Sequence, residues 1–430
     1  MPHREFGFNV VGNVSANVGL GVSARHIVQS LLDAGFEVAI HDLDPGYGRA
    51  GHDLRFQNLF VTEARDLPYS INLFVLPPQT LAVVLAQRPK FWSDPERLNV
   101  ALTFWELPAV PRHLRAALEF FDAVIAPSAF IRHTLDVALD STLTISARQP
   151  LYLPGDVRPD RSRFEIGAEE LVFVTSFEPL SGVARKNPGA VIDAFQKALP
   201  DRPDARLLIR LNNSAPTGAS EALRRACAGD RRIRLLTEPL TYSAVLSLYA
   251  SSDVFVSLHR SEGLGLGLME AMALGKPCIA TAWSGNMDFM DHTNAALVPY
   301  RLVPVVADVE PYAFATNSVK WAEPDVEAAA AWMRRFAGDR DLRSSLGGRA
   351  AASMATHQAE AAKVRFAYEV KSLAEHRGHV DQTRNRSRRI DAAFKAVIAG
   401  KPAPARAMAT VGRAALRSLD RHVLWRFRNS

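Results

Sequence analysis

Two carboxylates, Glu262 and Glu270, stand eight residues apart around a turn that carries glycines at 263, 265 and 267. The stretch reads HRSEGLGLGLMEAMALGKPCIATAWSGNMDF, residues 259–289. The apolar run DVFVSL at 253–258 predicts a strand that ends just before Glu262, and the apolar residues after Gly265 predict a helix near 264–274 that contains Glu270. Glycines let backbone approach a ligand closely, and a helix start offers unpaired N–H groups at a positive dipole end. That is chemistry for a phosphate or a sugar diphosphate. Eight residues leave about 80° between two side chains on an ideal helix, so both carboxylates can face one ligand. Carboxylates accept well from vicinal hydroxyls of a sugar or a ribose. An ordinary strand-turn-helix with surface glutamates would give the same spacing, but not three glycines in one turn.

Other features point to blander chemistry. Asp42-Leu43-Asp44 is a D-x-D that could hold a metal, yet it follows a strand and precedes a DPG turn, where aspartates serve the turn itself. His26, His41, His113, His133 and His259 show no ligand spacing, so no metal site is expected. Cys227 and Cys278 stand apart from each other, which argues against a disulfide framework or a cysteine-built zinc site and fits a reducing compartment.

The elements that must position these residues come in two series. FGFNVV at 6–11, FEVAIHDL at 36–43, INLFVL at 71–76, NVALTF at 99–104 and AVIAPS at 123–128 read as strands. Helices are expected at 23–35, closed by Gly35, and from Ala129 under a Ser128 cap. The proline- and charge-rich stretch from Arg148 to Gly167 reads as a linker. A second series follows, with strands at 171–177, 205–211, 232–238, 253–258 and 278–283 and helices near 188–198, 241–251 and 264–274. Alternation of this kind means crossover connections and parallel sheets covered by helices. The fold class is α/β: two Rossmann-like doubly wound parallel-sheet domains facing a cleft, at the carboxyl ends of whose strands a ligand would lie. The expected division is 1–160, 161–357, a helix at 358–376 returning to the N-terminal domain, and a basic C-terminal extension at 377–430.

A chain of 430 residues exceeds one core, and 48% hydrophobic with 22% charged residues is ordinary globular composition. No run of 18 apolar residues occurs, and the start MPHREFGFNVVGN has no signal-peptide pattern, so a cytoplasmic protein is expected. The net charge of +6 is uneven. From Arg377 onward there are 13 Lys+Arg against 3 Asp+Glu, which leaves residues 1–376 at about −4. Nucleic-acid binding by the body is therefore not expected. In the tail, Leu416, Leu419, Val423 and Phe427 share one helical stripe while Arg413, Arg417 and Arg421 share another, near Trp425. A basic amphipathic helix suits an anionic membrane surface; equally, the stripe could pack back on the body with its arginines solvated.

The 259–289 stretch, with E-x7-E followed by A-M-A-x-G-x-P-x-I-x-T, resembles the signature of retaining glycosyltransferases of the GT-B fold, family 4 (glycosyltransferase group 1). NVGLGVSARH at 17–26 resembles the glycine loop of the acceptor-side domain, and RKNPGAVIDAF at 185–195 resembles the stretch that supplies a lysine to the donor diphosphate. TFWEL at 103–107 and SGNMDF at 284–289 are similar to bacterial surface-polysaccharide enzymes. The resemblance implies that Glu262 contacts the donor sugar, Glu270 the ribose, and Lys186 the leaving diphosphate. It further implies that backbone N–H groups near Gly263, Leu264 and Gly265 support the phosphates and that Gly19 and Gly21 close over them. His259 borders the donor loop, and Glu106, after a strand, could orient or deprotonate an acceptor hydroxyl. One departure stands out: the family's arginine several residues before the lysine is missing, and SFEPLSG offers Glu178 instead. Arg185 or Arg260 could supply the guanidinium, and Arg260 is the favoured candidate because it shares the Glu262 loop.

A nicotinamide-dependent dehydrogenase is disfavoured, since Gly12, Gly19 and Gly21 after the first strand do not form G-x-G-x-x-G. The expected activity is retaining, metal-independent transfer of a hexose from a UDP- or GDP-sugar to a saccharide or lipid-linked saccharide. The donor is a substrate, no cofactor is expected, and the tail would hold the enzyme at the inner face of the plasma membrane. A nucleotide-sugar 2-epimerase on the same fold, or a silent scaffold protein, is the alternative.

Overall fold

The structure is a computed structural model and describes residues 5–43, 52–87, 96–140, 142–212, 218–306 and 318–375, with the single positions 92, 94, 312 and 315. Residues 377–430, on which the tail expectations fall, and Asp44 of the D-x-D lie outside the described residues. The chain forms two compact units: one of residues 1–105, 109–150 and 360–430, the other of 106–108 and 151–359.

The first unit holds β1 (Phe8–Gly12), β2 (Val38–Asp42), β3 (Ile71–Val75), β4 (Leu98–Leu102), β5 (Ala123–Ala126) and β6 (Leu143–Ser146). They form one parallel sheet in the order β2-β1-β3-β4-β5-β6. The strands are apolar on both faces because helices cover both; β1, β3, β4 and β5 are buried throughout. Polar ends fix the register. Asn9 donates to Asn72 at 2.9 Å and Asn72 to Asn99 at 2.8 Å, while the buried Arg97 reaches Asn72 and the Leu67 carbonyl. A one-residue slip of any of these strands would break the row.

The helix Gly19–Asp33 starts four residues before the expected 23, at the glycine loop itself, and Gly35 follows it at φ +78°. Ser128 caps the helix Ala129–Ala138, accepting from the Ile131 N–H at 3.2 Å. The helix Arg365–Glu375 packs Phe366, Ala367 and Val370 into the core of this unit beside Phe8, Ile27 and Ile71.

The second unit repeats the plan with β7 (Leu171–Phe177), β8 (Ala205–Leu211), β9 (Ile233–Leu236), β10 (Val254–Ser257), β11 (Cys278–Thr281) and β12 (Ala296–Val298), in the order β12-β11-β10-β7-β8-β9. An antiparallel ribbon, β13 (Tyr300–Pro304) and β14 (Lys320–Pro324), follows. The sequence did not signal this ribbon, because β13 is mostly exposed and lacks a sustained apolar alternation. The chain runs outward from β7 through β8 to β9, then returns to the other side of β7 at β10. Strand order therefore reverses between β7 and β10, and the loops leaving these two strands lie side by side. Ligands of open α/β sheets bind at such a reversal.

Candidate active site

The loop after β7 carries Lys186 and the loop after β10 carries Glu262, so topology joins two residues 76 positions apart. Lys186 Nζ donates to Glu262 Oε1, and Arg185 Nη1 lies 3.3 Å from Oε2 of the same carboxylate. The local sequence explains the lysine's placement. The short helix Val183–Lys186 ends at Asn187, whose φ of +53° is a conformation that asparagine tolerates, and Pro188 then opens the helix Pro188–Ala198. RKNP is thus a two-helix elbow that puts Arg185 and Lys186 at its corner.

Arg185 is 2% exposed and its guanidinium is spent on this site. It donates to the Ser261 carbonyl at 2.8 Å and the Ser181 carbonyl at 3.1 Å, and Nη2 stands 3.9 Å from Glu106. Glu106 belongs to the second unit and accepts from the Tyr312 hydroxyl at 2.7 Å. The Ser261 hydroxyl donates to the Glu106 carbonyl. The guanidinium beside Glu262 is therefore that of Arg185 and not, as the sequence favoured, that of Arg260. Arg260 forks onto Glu323 at 2.6 and 3.0 Å, reaches the Ala184 carbonyl at 2.6 Å, and lies over the Trp321 ring. Its cation is committed to tying the loop to β14.

Burial alone would raise the Glu262 carboxyl; Lys186, Arg185 and His259 outweigh it and bring it down to about 2. Burial also pulls Lys186 down, against the upward pull of Glu262. The result is a buried cluster of two cations around one carboxylate, in which the Lys186 side chain, paired with Glu262, keeps 21% of its surface exposed.

The glycine turn is fixed by contacts that need glycine. Gly265 sits at φ +94° as the cap before the helix Leu266–Ala273. A Cβ on Gly285 would meet the Gly263 carbonyl oxygen at 2.1 Å, so the 284–286 segment lies against the backbone of 263–264. Ser284 holds a strained φ of +77° while its Oγ accepts from the Glu262 N–H at 2.8 Å. His259 is fully buried: Nε2 reaches Asn286 Oδ1 at 3.1 Å and the Trp283 carbonyl at 3.2 Å, and Nδ1 pairs with Ser257. Burial lowers its pKa. It fastens the turn from beneath instead of bordering open space. Leu264 is likewise buried, as are Gly263 and Gly265 on either side of it.

Glu270 occupies a second environment. It is 5% exposed on the helix Leu266–Ala273, and the Tyr242 hydroxyl and the Arg210 guanidinium both act on it electrostatically. Burial raises its carboxyl to about 7, partly offset by those two groups. The two glutamates thus split into a charged end at Glu262 and a nearly apolar end at Glu270. Sequence reasoning missed Tyr312, Ser284 and Arg210. Only Arg210 had a local signal, a cation inside the apolar strand ARLLIRL.

Gly19 and Gly21 lie in the first unit. Gly21 is there because a Cβ would meet the Ala16 carbonyl oxygen at 2.1 Å, whereas Gly19 has nothing within 4 Å of such an atom. Asp42 accepts from the Ser15 N–H at 3.2 Å, which serves the same loop. Among the described residues no three His, Cys, Asp or Glu side chains gather as metal ligands, and no helix is long and apolar enough to cross a membrane.

Comparison with known proteins defines the class. The structure is similar to a glycosyltransferase of Rickettsia africae, with a TM-score of 0.61 at 14% identity over 86% of this chain and all of that one. It is also similar to HepE of Anabaena in complex with UDP and glucose, with a TM-score of 0.58 at 15% identity over the same shares. The chain thus has the GT-B fold: two Rossmann-like units. Residues 168–317, which include the E-x7-E turn and Lys186, match the family described as Glycosyl transferases group 1. A D-inositol 3-phosphate glycosyltransferase of Corynebacterium efficiens is 31% identical over 155 residues, 34% of this chain and 35% of that protein. The match thus spans about a third of the length of the curated relatives.

Proposed function

We propose that the protein is a retaining glycosyltransferase that moves a hexose from a UDP- or GDP-sugar to a hydroxyl of a saccharide or lipid-linked saccharide, in the making of a surface polysaccharide. The observation that carries this reading is the pairing of Lys186 and Arg185 with Glu262 at the strand-order reversal of the second unit. Its support is the family match of residues 168–317 and the UDP and glucose bound by HepE.

In this reading Lys186 leaves Glu262 to meet the diphosphate, whose charge grows as the glycosidic bond breaks. A cation already fixed there stabilises that growth without reorganisation. Glu262, freed of one cation and still held by Arg185, accepts from donor-sugar hydroxyls, and Glu270 accepts from the ribose. The acceptor oxygen bonds to C1 on the face that the leaving group vacates, the C1–O phosphate bond breaks, and the acceptor's proton passes to the departing phosphate oxygen. No carboxylate becomes a nucleophile, and lysine, arginine and backbone dipoles do the work that a metal does elsewhere.

The test is transfer from UDP-glucose and GDP-mannose to saccharide acceptors in the presence of EDTA, with the product's anomeric configuration read by NMR. An α-linked product from an α-donor, undiminished by EDTA and reduced about 10²–10³-fold by Lys186→Ala, is expected. An inverted product, or interconversion of the donor without acceptor, contradicts it.

A further inference from the structure

Glu106, Arg185, Ser261 and Tyr312 come from four separate stretches of the chain and close a circuit of contacts. The Ser261 hydroxyl donates to the Glu106 carbonyl, and the Ser261 carbonyl accepts from Arg185 Nη1 at 2.8 Å. Arg185 Nη2 stands 3.9 Å from Glu106 Oε1, and the other oxygen of that carboxylate, Oε2, accepts from the Tyr312 hydroxyl at 2.7 Å. The guanidinium carbon of Arg185 also lies 6.0 Å from the centre of the Tyr312 ring, the outer reach of a cation–π contact. Arg185 Nε is used as well, donating to the Ser181 carbonyl at 3.1 Å. Every nitrogen of this buried guanidinium thus has an oxygen to answer it, and Glu262 is only one of its partners. Lys186 differs: its one carboxylate partner is Glu262, and part of its side chain stays exposed.

We propose that Glu106 and Tyr312 are positioning residues that anchor Arg185 on Glu262, so that Lys186 alone answers the donor's diphosphate while Arg185 serves the sugar-binding carboxylate. The inference rests on the donor reading given above. Its physical basis is the cost of moving each cation. Taking Arg185 away would break its bonds to two backbone carbonyls and leave Glu106 and Glu262, which now share it, as two carboxylates without their common cation. Taking Lys186 away leaves Glu262 still held by Arg185, and a lysine's flexible four-carbon stem can follow a ligand where a fixed guanidinium fork cannot. Tyr312 supports the arrangement twice, holding the Glu106 carboxylate by its hydroxyl and placing its ring beside Arg185. Glu106 acts through Arg185, and Tyr312 acts through both.

The experiment is calorimetric titration of UDP, GDP, UDP-glucose and GDP-mannose against the full-length wild type, Glu106→Gln, Tyr312→Phe and Lys186→Ala. Glu106→Gln removes the charge beside Arg185 and keeps an oxygen for Tyr312; Tyr312→Phe removes the hydroxyl and keeps the ring. Each should weaken the nucleotide sugar by about tenfold and leave the bare nucleoside diphosphate as in wild type, because only the sugar end depends on Arg185. Lys186→Ala should weaken both ligands together. General damage to the fold would not separate the two ligands. Should Glu106→Gln fold poorly, Tyr312→Phe in a Glu262→Gln background supplies the check: with no carboxylate for Arg185 to hold, the double variant should bind the nucleotide sugar as Glu262→Gln alone does. Equal losses for diphosphate and nucleotide sugar in Glu106→Gln and Tyr312→Phe, no loss for either, or a further tenfold loss in the double variant overturns the proposal and leaves the donor reading intact. Wild type that binds none of the four ligands overturns the donor reading itself.

Discussion

Glu262 and Glu270 share a motif and have opposite electrostatics, which gives each a separate signature. For Glu270 the folded value of about 7 exceeds the ordinary 4.5, so the folded state holds its proton more tightly than the unfolded chain. Its contribution to stability is therefore complete below about pH 4.5 and disappears as pH rises through about 7. Glu270→Gln should stabilise the protein at pH 8 by up to about 3 kcal/mol and leave it unchanged near pH 4, while weakening UDP binding. Thermal melts at the two pH values check this; equal shifts at both would contradict it. Glu262 behaves the other way. Its folded value of about 2 means a contribution present above pH 4.5 and lost as pH falls toward 2. Glu262→Ala leaves Arg185 and Lys186 without their carboxylate, at about 3–5 kcal/mol. Millimolar UDP should then raise Tm more in this variant than in wild type, because its phosphates replace the missing charge. Equal shifts would mean that the diphosphate goes elsewhere. Sequence spacing disclosed both glutamates and the lysine. It could not choose between Arg185 and Arg260, because that choice depends on Glu323, a partner 63 residues from Arg260.

At the level of elements, the site is a matter of which loops touch. Gly285 makes the 284–286 segment lie against the glycine turn, with Gly263 and Leu264 backbone atoms at 2.1 and 2.8 Å from where a Cβ would stand. Gly285→Ala should push the turn away from its place, lowering UDP affinity by at least about tenfold together with Tm, because both obstacles are backbone. Gly348→Ala, on a helix with nothing within 4 Å, should leave affinity alone and raise Tm slightly. Calorimetry and melts on the pair separate a positional effect from a general one; a Gly285→Ala protein that binds UDP normally would contradict it. Most strands were legible because parallel strands covered on both faces are continuous apolar runs, and β7 and β8 fall where the pattern put them. β6 and the β13–β14 ribbon were not read: β6 is four residues with only Thr144 and Ile145 buried, β13 is mostly exposed, and β14 buries Trp321, Ala322 and Pro324 without a sustained alternation. Tyr312 was out of reach for another reason. It meets Glu106 across 206 residues, and no periodicity encodes a contact of that span.

For the molecule as a whole, charge is divided between a body near −4 and a tail of +10. If the tail serves a membrane-borne acceptor, a protein ending at residue 376 should lose binding to vesicles containing anionic lipid and keep its affinity for UDP. Co-sedimentation of both forms reads this directly, and unchanged sedimentation contradicts the anchoring role. The larger commitment is that the second unit grips an activated sugar by its diphosphate. A thermal-shift titration of UDP-glucose, GDP-mannose and related nucleotide sugars against wild type and Lys186→Ala tests it most directly, since a ligand of the native state raises Tm by mass action. At least one donor should raise Tm in wild type and do so far less in Lys186→Ala. No shift with any donor, or the same shift in both proteins, would contradict it.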